Sequence, residues 1–160
     1  MSTQPTADHD GAPDKPATAP PESLTEPILE ELGQEECFSL LASRQFGRLA
    51  VVRDGRPEIF PVNYLLSGRT VVIRTQQGVK LAHASLSRVA FEVDDIDPAT
   101  RVGWTVEVKG VAEDITDGAD PWSEQALQAP VDPWVPGPHD RTVAISQPTV
   151  SGRRLHRPST

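Results

Sequence analysis

The chain has 160 residues, of which 37% are apolar and 24% charged, and its formal net charge is −8. That length suits one domain with a real core and is short for two. The acidic balance argues against broad binding to nucleic acid or anionic membranes. No apolar run reaches the length of a membrane span and the N-terminus lacks the apolar region of a signal peptide, so a soluble cytoplasmic protein is expected. Cys37 is the single cysteine, which leaves no intrachain disulfide and no cysteine-based zinc site.

Residues 1–27 carry Pro5, Pro13, Pro16, Pro20, Pro21 and Pro27, with only Met1 and Leu24 as sizeable apolar side chains. Such a segment buries too little surface to offset its ordering entropy and is expected to be a disordered tail. It also holds Asp8, Asp10, Asp14, Glu22 and Glu26 against Lys15, so the remainder is only mildly acidic. The folded domain is expected over 28–157, with 158–160 as a short C-terminal tail.

Ile28, Leu29, Leu32, Cys37, Leu40 and Leu41 recur at roughly helical spacing, interrupted at Gly33. They predict a helix over about Gln34 to Ser43, preceded by a short lead-in, with Cys37 as a small buried hydrophobe on its apolar side. Two strands, Gly47 to Val52 and Pro57 to Leu66, flank Arg53-Asp54-Gly55-Arg56, a strong hairpin signal. Ser67-Gly68 turns into a third strand, Arg69 to Thr75. Residues 78–87 read as a short crossing helix. Val89, Phe91 and Val93 alternate with polar residues in a fourth strand, and Val106 and Val108 alternate with Glu107 and Lys109 in a fifth. Asp120 followed by Pro121 marks a helix start. Ala129 to His139 is a proline-rich loop containing Trp134, read as a surface turn with a cover over a site as its alternative. A final strand over 141–155 is expected to break at Pro148. About six mostly antiparallel strands with a few helices make the fold mainly β, a small barrel.

Recognised catalytic motifs are absent: there is no Gly-x-Ser-x-Gly elbow, no Walker loop, no Gly-x-Gly-x-x-Gly turn and no His-Glu-x-x-His helix. His9, His83, His139 and His156 are scattered, so a metal site has little to build on. Asp94, Asp95 and Asp97 read as a solvated strand end. The stretch Val71 to His83 is different. Arg74 offers a planar fork, Thr75 a hydroxyl and Lys80 a point charge, while Gly78 permits close backbone approach. This is chemistry that can hold a phosphate, although cations at a strand end more commonly mark a solvated loop.

In combination, "PVNY", "RTQQGVK", "FEVD" and "GWTVEVKG" resemble the pyridoxamine 5′-phosphate oxidase-like family, near its Nim-type nitroimidazole reductase branch. The resemblance covers roughly Glu35 to Thr116, and "SGRR" from Ser151 is similar to that branch's closing strand. It implies an FMN-binding split β-barrel and a homodimer with a cofactor in each groove between subunits. It further implies that Phe60, Pro61, Val62, Asn63 and Tyr64 run beside a flavin ring, and that Arg74, Thr75, Gly78 and Lys80 hold its phosphate. Trp104 and Thr105, at a strand start, are implied to contact the ring region. Tyr64 and Trp104 also fit ordinary core or interface aromatics, and Asn63 would be satisfied by a flavin edge or by local backbone. The implied activity is that of a flavin-dependent oxidoreductase acting on a small molecule. The alternatives are the deazaflavin F420 as cofactor, a non-catalytic flavin or haem carrier, and a barrel that has lost its cofactor. The proline loop departs from the pyridoxine-phosphate oxidases proper, and their C-terminal basic motif has no clear counterpart, so that specific activity is not expected.

Overall fold

A computed structural model describes residues 26–76 and 87–158. These form seven strands and two helices in the order β1 (Ile28–Leu32), α1 (Gln34–Ala42), β2 (Phe46–Arg53), β3 (Arg56–Ser67), β4 (Thr70–Thr75), β5 (Ser87–Asp97), β6 (Val102–Asp114), α2 (Pro121–Leu127) and β7 (Arg141–His156). Every pairing is antiparallel. The sheet runs β1-β7-β4-β3-β2-β5-β6, and a further β6–β7 pairing closes it into a barrel. Closure leaves β1 as a short strand laid along the far half of β7. Among the described residues, no helix is long and apolar enough to cross a membrane. The expected crossing helix lies almost wholly outside the described residues, as does nearly all of the expected N-terminal tail.

Strand alternation fills the barrel. Leu49, Val51, Tyr64, Ile73, Phe91, Val93, Val106, Val108, Val143 and Ile145 point inward and are essentially solvent-free, as period-2 patterning requires. Helix α1 plugs one end with Cys37, Phe38 and Leu41. The β2–β3 hairpin turns at Asp54 (φ 50°) and Gly55 (φ 72°), both left-handed, as a two-residue turn of this type demands. Gly47 serves a different need. A Cβ there would lie 2.4 Å from Phe91 Cζ and 2.8 Å from the Glu92 carbonyl oxygen, so only glycine admits the Phe91 ring.

A second, smaller apolar cluster lies outside the barrel, where Ile115, Ala126, Ala129 and Val131 cover Val72 and Ala144. It is seated by α2, whose N-cap Asp120 and Ser123 form a reciprocal capping box. Two expectations change. The lead-in before α1 is a strand, β1, because its backbone pairs with Gly152–His156 of β7. Strand β7 does not break at Pro148; Gln147 takes a positive φ of 48°, and the β6–β7 register shifts between Lys109 and Val111 instead. A bulge absorbs the residue that cannot donate to the ladder.

Candidate functional site

The β3–β4 ladder ends at Tyr64 opposite Ile73, and Asn63 and Arg74 are the next residues of their strands beyond that last pair. Since Tyr64 and Ile73 point inward, Asn63 and Arg74 stand on the outer side of the barrel. Here a cleft of about 180 Å³ opens. Among the described residues its walls are Val62, Asn63, Arg74, Thr75 and Gln76 from the strands, with Pro133, Val135 and His139 from the proline-rich loop.

Arg74 is the chemical centre of this cleft. Its Nε is shielded from solvent and has no hydrogen-bond partner among the described residues, the one buried side-chain nitrogen or oxygen left so. A buried guanidinium N–H without an acceptor is costly, and an anion would satisfy it. Thr75, next in the strand and 6% exposed, is also among the residues lining the cleft.

Asn63 is already satisfied by protein. Its Nδ2 donates to the Gln45 carbonyl at 3.2 Å, and its Oδ1 accepts the Trp134 amide at 2.9 Å. Both partners are backbone groups, of Gln45 and of Trp134. Trp134 in turn stacks on Phe46, rings 5.5 Å apart and 3° from parallel. Gln76 Nε2 donates to the Pro136 carbonyl at 3.4 Å. The proline-rich loop therefore walls one side of the cleft, while most of its residues stay on the surface. Sequence reasoning missed Phe46, Gln76, Pro133 and Val135 as site residues. Only the loop's proline and tryptophan content hinted at them.

The other predicted residues are placed elsewhere. Phe60 and Val62 pack against the barrel core, although Val62 also reaches the cleft wall. Tyr64 is 1% exposed, packs edge-on against Phe91 at 4.8 Å and donates its hydroxyl to the Leu41 carbonyl at 2.6 Å. Its side chain is a core group, and burial pushes its pKa well above the ordinary tyrosine value, against a smaller opposing effect of Arg44. Pro61 is exposed on the outer face beside Arg48. Gly78 and Lys80 lie outside the described residues.

Trp104 and Thr105 do not line the Arg74 cleft. Trp104 lines a separate groove of about 670 Å³ with Val102, Arg154, Leu155 and His156, and the Arg44 guanidinium lies 5.6 Å above its ring. Thr105 donates to Glu92 Oε1 at 3.1 Å. One copy of the chain thus presents two separate places, the Arg74 cleft and the Trp104 groove.

Comparison with known proteins gives this arrangement its context. An uncharacterized protein of Mycobacterium tuberculosis H37Rv, Rv0080, is 37% identical over 143 residues, covering 86% of this chain and 91% of that protein. The structure of the FAD binding protein from Mycobacterium smegmatis superposes with a TM-score of 0.65 at 34% identity, covering 78% of this chain and 98% of that one. A FAD-binding protein from Mesorhizobium loti gives a TM-score of 0.63 at 26% identity, over 82% and 99% of the two chains. The sequence pattern of the pyridoxamine 5′-phosphate oxidase family matches residues 33–154, which takes in the barrel from α1 to the far end of β7. With the closed antiparallel barrel and this match in agreement, the chain belongs to the pyridoxamine 5′-phosphate oxidase family.

Proposed function

We propose that this protein binds a flavin, FMN, with the phosphate at Arg74, and acts as an oxidoreductase on a small molecule. The observation that carries the reading is the buried Nε of Arg74, without a partner among the described residues, in a cleft that Thr75 also lines. A planar guanidinium with a free buried N–H suits a phosphate oxygen better than a solvated surface role does. FAD binding by the two solved relatives supports a flavin. A cleft of about 180 Å³ accepts a compact anionic group such as a phosphate, and the mild acidity of the folded part argues against the extended basic channel that a polyglutamylated deazaflavin would favour.

A bound flavin would supply the redox chemistry, which fits a cleft whose described residues include no nucleophile–base pair. The chain's own part is to fix the phosphate through Arg74 and Thr75 and to shield that end with the loop. Trp104 and Thr105 enter this reading only through a second copy. They lie in grooves apart from the Arg74 cleft, so a homodimer in which one copy's Trp104 groove faces its partner's cleft would bring the two together. Exposed Ile59 and Val52, on the outer faces of β3 and β2, are apolar surface available for such an interface.

A flavin carrier is the second reading, favoured by one observation: both solved relatives are named as FAD binding proteins, not as enzymes. The absorbance spectrum of freshly purified protein, with mass identification of any released cofactor, tests the flavin. Stopped-flow mixing with NADH or NADPH then separates the two readings. Rapid bleaching of the flavin band supports an oxidoreductase, and an unreduced flavin supports the carrier. A colourless protein that FMN cannot reconstitute refutes both.

A further inference from the structure

The proline-rich loop is held at three points, and each has a different physical basis. At its start, Ala129 and Val131 are buried in the outer apolar cluster, and the Val131 amide donates to the Ala129 carbonyl at 2.9 Å. In its middle, the Trp134 amide donates to Asn63 Oδ1 while the Trp134 ring lies flat on Phe46. Beyond that, the Pro136 carbonyl accepts from Gln76. Four prolines from 130 to 138 further restrict the segment, lowering the entropy lost when it is fastened. A loop fixed this heavily across a cleft that contains an unsatisfied guanidinium has a consequence for whatever occupies the cleft.

We propose that residues 131–139 form a strap that retains the anion at Arg74, with Asn63 as the positioning residue that ties it down and His139 as the anion-facing group it delivers. Asn63 suits this role because its two amide atoms join the strap to the start of β2. Nδ2 grips the Gln45 carbonyl and Oδ1 grips the Trp134 amide, so loss of the side chain frees both. His139 lines the same cleft as Arg74 and Thr75, is half-buried, and belongs to neither apolar cluster. Its imidazole can donate an N–H to an oxyanion. The strap thus acts on the phosphate end of a ligand and leaves the ring end alone. This rests on the flavin-phosphate reading above for the identity of the ligand, though not for its anionic character.

The test compares FMN, riboflavin and inorganic phosphate as ligands of the full chain, in the wild type, Asn63→Ala and His139→Ala. Riboflavin carries the ring without the phosphate. The strap predicts that each substitution weakens FMN about tenfold or more, the scale of one lost hydrogen bond to a charged group, while riboflavin affinity stays the same. Because His139 lies outside both cores, its variant keeps the question answerable should Asn63→Ala fail to fold. An equal loss for FMN and riboflavin would overturn the strap, as would unchanged FMN affinity in the variants. If the wild type binds inorganic phosphate but neither flavin, and both variants lose that phosphate, the strap stands and the flavin reading falls. A wild type that binds none of the three overturns both.

Discussion

Asn63 and Trp134 stand 71 residues apart in sequence and are joined by a 2.9 Å hydrogen bond from the Trp134 amide to Asn63 Oδ1. That bond sets a loop with no regular secondary structure beside a strand that does have it, and the Arg74 cleft is the space between them. On the strand side, alternation sends Tyr64 and Ile73 inward and leaves Asn63 and Arg74 facing the loop. On the loop side, the stacking of Trp134 on Phe46 completes the fastening.

Tyr64 is the chain's single tyrosine, so a spectrophotometric phenol titration reports it alone. Its pKa is raised in the folded state by burial, above the unfolded value near 10. The folded state therefore holds its proton where the unfolded state loses it. The resulting stability is present in full below pH ~10 and is lost as pH rises above that value. Phenolate absorbance is expected to appear only together with unfolding, as followed by circular dichroism. A phenolate signal that rises near pH ~10 while the fold persists would contradict the core assignment of this side chain.

Cys37 is buried in α1, with its Sγ 3.9 Å from the Leu32 carbonyl. Burial, and secondarily the charge of Glu36, raise its thiol pKa, so the reactive thiolate is scarce near neutral pH. A disulfide-exchange reagent should label the native protein slowly and the urea-unfolded protein at once, with one thiol per chain at completion. Rapid stoichiometric labelling of the native state would show that this end of the barrel is open.

Gly47→Ala places a methyl group against the Phe91 ring and the Glu92 backbone. The ring can shift only by disturbing its edge contact with Tyr64. Overpacking of this kind is expected to cost about 1–3 kcal/mol, read as a lower urea midpoint at unchanged slope. A stability equal to wild type would mean that the barrel interior relaxes freely around Phe91.

Much of the barrel was legible because its signals are local. Asp54-Gly55 between apolar runs specified the hairpin, and Val106 and Val108 alternating with Glu107 and Lys109 specified a half-buried strand. Strand β1 was not legible. Most of "ILEEL" stays exposed, and the segment becomes a strand only by pairing its backbone with the far end of β7. Pro148 pointed to a break, yet the bulge at Gln147 carries β7 through it. The candidate site divides in the same way. Arg74 and Thr75 were visible as a cation and a hydroxyl at a strand end, whereas the roles of His139 and Gln76 depend on a contact between distant segments. For Tyr64, the family motif supplied a position but not a direction, and strand alternation turned its side chain into the core.

The central claim is that the guanidinium of Arg74, with its buried Nε, holds the phosphate of a flavin, and a paired titration of wild type and Arg74→Lys with FMN and riboflavin tests it most directly. Lysine keeps the charge and loses the planar fork, so FMN binding should weaken about tenfold or more while riboflavin binding is unchanged. Equal FMN affinity in the two proteins, or a parallel loss for both flavins, would contradict it.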